Sequence, residues 1–246
     1  MNSTINTEKT LQGKNVVITG ASKGIGKAIA AAFAAEGANL FLCARNEVQL
    51  YNTLAALQTH YPQIVVKAKA FDLSIKEQAI AYGEWIANAG ITADIVVNNA
   101  GQFLPGSVHN EDDGLLEQTM NINLYSAYHL TRKLLPAMMA AKKGHIFNIC
   151  SIASLQAYNN GGSYSITKAA LMSFSKNLRE EMMPHHIKVT AIYPGAVLTD
   201  SWGNYDNSSN RIMEPSDIAT MIVAAAKLSP SAVVEDMVIR PQLGDL

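Results

Sequence analysis

The chain has 246 residues, 48% of them hydrophobic and 16% charged, with a formal net charge of −1. That length allows one large domain or two small ones, and the composition supports a sizeable core rather than a disordered chain. Near-neutral charge excludes the electrostatic footprint of a nucleic-acid or anionic-membrane binder.

Met1 to Lys14 is polar and does not read as a signal peptide, so residues 1–12 are expected to be a flexible lead-in. The longest apolar stretch, Ala28 to Ala44, is interrupted by Glu36, Gly37 and Asn39 and is too short to span a bilayer. Cys43 and Cys150 both lie in apolar segments, where buried reduced thiols are expected. A soluble, cytoplasmic protein is the expectation.

From Asn15 onward, short apolar runs alternate with longer stretches of helical spacing. The runs predict strands at Val16–Thr19, Leu40–Cys43, Val65–Ala70, Ile95–Val97, Ile146–Cys150, Val189–Tyr193 and Met237–Arg240. Helices are predicted near 24–36, 47–59, 75–89, 112–140, 162–183 and 215–227. Continuous apolar strands separated by helices signal a parallel sheet covered on both faces. With no linker or repeat, residues 13–246 read as one Rossmann-type α/β domain, a doubly wound sheet of about seven strands. The polar stretch 195–214 follows the sixth strand, at the edge where such sheets bind ligands, and is expected to be a substrate-binding loop. Within it, Trp202 and Tyr205 read as either lid contacts or incidental packing.

The first strand runs into Gly20, Ser22, Lys23, Gly24, Ile25 and Gly26, followed by an Ala-rich helix. Such glycines let the backbone approach a pyrophosphate, and the helix N-terminus offers free N–H groups. The spacing is G-x-x-x-G-x-G rather than G-x-G-x-x-G, and its weight comes from its place between strand and helix. An NAD site normally puts a carboxylate at the end of the second strand. Here that end reads Cys43-Ala44-Arg45-Asn46, and Arg45 suits a 2′-phosphate. Lys23 offers a second cation, so NADP(H) is favoured over NAD(H).

Tyr164 and Lys168 share a helix face at an i, i+4 spacing. An isolated Y-x-x-x-K carries little weight in a chain with nine tyrosines, but Ser151 ends a predicted strand thirteen residues before Tyr164. With Thr19–Gly26, Phe71-Asp72-Leu73, Asn98-Asn99-Ala100-Gly101, Asn121-Ile122-Asn123-Leu124 and Tyr193-Pro194-Gly195, the chain resembles the short-chain dehydrogenase/reductase family. These segments stand in the family's order across about residues 12–200.

The resemblance implies that Tyr164 is the general acid/base and that Ser151 polarises the substrate oxygen. It implies that Lys168 holds the nicotinamide ribose and lowers the tyrosine pKa, and that Asn123 holds a water joining Lys168 to solvent. It further implies cofactor contacts from Asp72 and Leu73, from Asn99, Ala100 and Gly101, and from Pro194, Gly195 and Thr199. A homodimer or homotetramer, assembled through helices 112–140 and 162–183, is also implied. The activity implied is interconversion of a small-molecule carbonyl and a secondary alcohol. One subgroup reduces 3-oxoacyl chains on an acyl carrier protein. Glu180 stands where that subgroup places a basic docking residue, although Lys142 retains the other. A cofactor-binding regulatory protein without turnover is the rival of another class.

The remaining polar features have plain structural readings. Asn98 reads as loop-stabilising, and Ser154 as the partner of a local turn bond. Glu111-Asp112-Asp113 reads as first-turn charge on the helix that follows. The six histidines show no metal-ligand spacing, so no metal is expected.

Overall fold

The computed structural model describes residues 11–157 and 160–245. The expected lead-in lies outside the described residues except for its last two. Of these, Leu11 is buried in the core. Seven strands form one sheet: β1 Asn15–Thr19, β2 Asn39–Ala44, β3 Val66–Ala70, β4 Ile95–Asn98, β5 Gly144–Ile149, β6 Ile187–Pro194 and β7 Asp236–Ile239. Their order is β3-β2-β1-β4-β5-β6-β7, with every neighbouring pair parallel. This is the doubly wound α/β fold expected from the alternation of runs.

The helices are α1 Gly24–Ala35, α2 Glu47–His60, α3 Lys76–Asn88, α4 Leu115–Met120, α5 Ser126–Ala141, α6 Gly162–Met182 and α7 Pro215–Ala226. They cover both faces because successive strand residues point to opposite sides. Val16 and Ile18 pack with Phe33 of α1 and Ile222 of α7. Val17 packs on the other face with Tyr82 of α3, Leu130 of α5 and Leu178 of α6. Each side therefore has its own core, and the strands read as unbroken apolar runs for that reason. Cys43 and Cys150 are free thiols buried in these layers.

Helix ends follow local chemistry. Asn46 caps α2 by accepting from Gln49 N at 2.9 Å. Pro215 starts α7, where Asp217 accepts from Glu214 N at 2.9 Å. The predicted helix 112–140 differs in detail: it begins at Leu115 because Gly114 sits at φ +86°. It is also interrupted by a π turn at Asn121–Tyr125. Among the described residues, no helix is long and apolar enough to cross a membrane.

His145 is buried in β5, stacked on Phe147 and 2.7 Å from Thr190 Oγ1. Burial, and then the charge of Lys188, lowers its pKa to about 3. The unfolded chain binds this proton near pH 6.5 and the folded chain does not, so the histidine's share of stability is present above pH 6.5 and lost below it. Between pH 7 and pH 5 this site costs about 2 kcal/mol. Urea unfolding of His145→Gln should show a pH loss smaller by about that amount than the wild type. An identical loss contradicts the assignment.

Candidate active site

The residues singled out in the sequence gather at the carboxyl edge of the sheet, because every strand runs the same way. Arg45 follows β2, Asp72 and Leu73 follow β3, and Asn99 to Gly101 follow β4. Ser151 follows β5, and Gly195 to Thr199 follow β6.

The glycine turn is tied down by β4. Thr19 Oγ1 accepts from Asn99 N and Ala100 N, each at 2.9 Å, and Asn99 Nδ2 donates to Thr19 O at 2.9 Å and Gly20 O at 3.2 Å. Gly20 takes φ +65°, which disfavours a side chain, and a Cβ on Gly26 would overlap Gly20 O. Thr199 covers the turn: its Cγ2 lies 3.3 Å from where a Gly24 Cβ would sit. Ile25 is half-buried beside it, and Ser22 O accepts from Thr53 Oγ1 at 3.1 Å.

The two cations differ. Arg45 is exposed, with only a loose contact of 4.0 Å to Asp72. Lys23, expected as a second cation for the phosphate, pairs with Asp200 at 2.8 Å and so is joined to the loop after β6. Asp72 Oδ1 accepts from Ser74 N at 3.0 Å and Ser74 Oγ at 2.6 Å. The Leu73 side chain packs into the core, which leaves only its backbone to face a ligand. Pro194 ends β6, and Gly195 N donates to Ile239 O at 2.8 Å.

Ser151, Tyr164 and Lys168 occupy the end of β5 and the first two turns of α6. Ser151 Oγ accepts from Ala153 N at 3.1 Å. Ser154 Oγ accepts from Ser151 N at 3.3 Å, the local turn bond expected of it. Lys168 is buried, and its ammonium donates to Ile149 O at 2.7 Å. It lies 5.8 Å from the Tyr164 ring centroid and near Gly101, where a Cβ would stand 3.3 Å from Nζ. Burial lowers the Lys168 pKa to about 8.

Asn123, in the π turn, is fully buried. Its Nδ2 donates to Gln102 O at 3.1 Å and Thr167 Oγ1 at 2.9 Å, while its Oδ1 accepts from Gln102 N at 2.8 Å. The side chain thus fastens the loop after β4 to α6. Beneath the site, Asn98 Nδ2 donates to Thr131 Oγ1 at 3.0 Å and Asn148 Oδ1 at 2.8 Å, and Asn148 Nδ2 donates to Ser175 Oγ at 2.8 Å. Asn98 therefore joins β4 to β5 and α5 rather than shaping a loop.

Sequence reasoning missed two residues at this edge. Phe103 sets its ring edge-on to Tyr164, with centroids 5.0 Å apart. Glu111 is not in the first turn of the following helix: it accepts from Ser163 N at 2.8 Å and Ser163 Oγ at 2.5 Å. Neither contact has a local signature, since each joins segments far apart in the chain.

A family model described as short chain dehydrogenase matches residues 14–210. The chain belongs to this family. An uncharacterised oxidoreductase of Staphylococcus saprophyticus is 31% identical over 94% of this chain and 98% of its own. The solved L-sorbose reductase of Gluconobacter frateurii, complexed with NADPH and L-sorbose, is 29% identical with a TM-score of 0.87, covering 94% and 97% of the two chains. A 3-oxoacyl-[acyl-carrier protein] reductase of Brucella melitensis is 26% identical with a TM-score of 0.85, covering 94% and 91%.

The buried ammonium of Lys168 is a cost to the short chain dehydrogenase fold. Unfolded, the lysine is protonated up to about pH 10.5; folded, only to about pH 8. The penalty is therefore full below pH 8 and relieved as pH rises towards 10.5. After loss of the bond to Ile149 O, Lys168→Met should gain about 2 kcal/mol at pH 7, with the gain shrinking by pH 10. Urea titrations at the two pH values check this, and a less stable variant at pH 7 contradicts it.

Proposed function

We propose that the chain is an NADP(H)-dependent reductase that interconverts a small carbonyl compound and its secondary alcohol. The observation that carries the reading is the convergence of Ser151, Tyr164 and Lys168 beside the glycine turn, at one edge of the sheet.

The residues present fit the cofactor. The turn is packed too tightly for a Cβ at Gly26, which brings the backbone to the surface, and the first N–H groups of α1, with no side-chain cap, suit a pyrophosphate. Arg45, exposed at the end of β2, is the partner for a 2′-phosphate, with Lys23 released from Asp200 as a second cation. Asp72 and the backbone of Leu73 would hold the adenine, and Asn99, Ala100 and Gly101 its ribose. Pro194, Gly195 and Thr199 would hold the nicotinamide end, and residues 195–214 would form the substrate loop. When bound, the nicotinamide supplies or accepts the hydride at the carbonyl carbon.

The chain's own residues manage the proton. A free tyrosine has a pKa near 10, too high for an efficient base at neutral pH. The Lys168 ammonium favours the phenolate and lowers that value. In reduction, Tyr164 gives its proton to the substrate oxygen while Ser151 Oγ donates a preorganised hydrogen bond to the same atom. Lys168 would also hydrogen-bond the cofactor ribose. Asn123 holds the geometry by joining Gln102 to Thr167, and a water relaying protons to Lys168 would be held beside it.

Likeness in fold to a sugar reductase and to a carrier-bound 3-oxoacyl reductase is nearly equal, so fold does not select between their substrates. Glu180 favours a free substrate. Tyr125 and Tyr128 are exposed, and the Tyr128 ring of α5 stands edge-on to Phe174 of α6, an apolar face that supports a homodimer or homotetramer.

Tyr164→Phe should retain NADPH binding by fluorescence while carbonyl-dependent loss of NADPH absorbance falls about 10²–10⁴-fold. Substantial residual turnover removes Tyr164 from its role. Wild-type protein that binds NADPH and turns over no carbonyl in a broad panel would mark the regulatory rival instead. Arg45→Asp should weaken NADPH about 10–100-fold with little change for NADH, from loss of a charge-assisted bond. An unchanged ratio contradicts the 2′-phosphate assignment.

A further inference from the structure

Helix α6 carries Tyr164 and Lys168, yet its own N-cap, Gly161, has no side chain to satisfy the first backbone N–H groups. The cap comes from 52 residues upstream. The Glu111 carboxylate accepts from Ser163 N at 2.8 Å and from the buried Ser163 hydroxyl at 2.5 Å. The surroundings are cut to this side chain. A Cβ on Gly162 would overlap the carboxylate, and one on Gly106 would stand 2.7 Å from Glu111 Cγ. Gly106 N donates to Asn160 O at 3.1 Å, in a parallel bridge between Gly106 and Gly161.

The loop that ends at Glu111 begins at Gln102, gripped by Asn123, and passes Phe103 edge-on to Tyr164. It is thus fastened at both ends to the element that bears the tyrosine. We infer that Glu111 is a positioning residue: its carboxylate latches the 102–111 loop to the first turn of α6 and fixes Tyr164 against the wall of the substrate site. The catalytic part of this rests on Tyr164 being the proton donor proposed above. The residue bonded to Glu111 is the immediate neighbour of Tyr164, and displacement of a reacting group by about 1 Å costs on the order of 10²-fold in rate.

Geometry rather than charge sets the expected order of variants. A glutamine reaches the same distance, accepts from Ser163 N and donates to Ser163 Oγ. An aspartate keeps the charge but falls one methylene short.

The test is hydrogen–deuterium exchange of the NADPH-loaded protein, alongside turnover of ethyl acetoacetate with NADPH. In Glu111→Ala and Glu111→Asp, exchange should rise about tenfold in segments 102–111 and 160–168 and stay unchanged in α1, and kcat should fall about 10–100-fold with KM for NADPH within twofold. Glu111→Gln should restore both to within about threefold. If Glu111→Ala does not fold, the order of Gln above Asp decides. Unchanged exchange in 160–168, uniformly faster exchange that includes α1, or an aspartate variant as active as wild type overturns the inference. Tyr164→Phe is the control: if it remains active, the proposed function fails, while exchange still decides the latch.

Discussion

Strand β1 pairs in parallel with β2 on one side and β4 on the other, and the helices that follow β1 and β4 lie on opposite faces of the sheet, so a crevice opens between them at the carboxyl edge. Everything proposed for this molecule depends on that crevice. Its width is fixed by one knot of hydrogen bonds, in which Thr19 and Asn99 exchange backbone and side-chain partners across the gap. The knot holds the glycine turn at its sharp bend and starts the loop that leads to Gln102. Apolar burial on both sheet faces gives the strands no alternative register, and so the turn, the loop and α6 meet in one place.

Stability is spent around this crevice. Lys168 carries a buried ammonium, and a chain of buried amides and hydroxyls runs from Thr131 through Asn98 and Asn148 to Ser175. Buried polar groups are costly unless paired, and paired ones fix a unique arrangement. Here they join β4, β5, α5 and α6 directly beneath Ser151 and Tyr164. An apolar replacement at Lys168 would spare the burial of a charge and would also remove the ammonium that the proposed chemistry uses, the trade expected at an active site.

Much of this was legible in the sequence, for physical reasons. Strands buried on both faces must be continuously apolar, so Val16–Thr19 and Ile95–Val97 declared themselves. The glycine turn and the Tyr164–Lys168 spacing are local patterns, visible without a fold. The π turn at Asn121–Tyr125 was not legible, because its apolar spacing is that of an ordinary helix. Nor was the late start at Leu115, which hinges on the left-handed Gly114. The contacts of Lys23 with Asp200 and of Glu111 with Ser163 escaped for a simpler reason: pairing between distant segments leaves no periodic trace.

The activity proposed for this crevice is hydride delivery to a carbonyl carbon. Incubating the wild-type protein with NADPH deuterated at the reactive carbon of the nicotinamide, and analysing the alcohol by mass spectrometry, tests it most directly. One deuterium on the carbinol carbon of the product is the expected outcome. NADPH bound at the site with no deuterium reaching any carbonyl compound would contradict it.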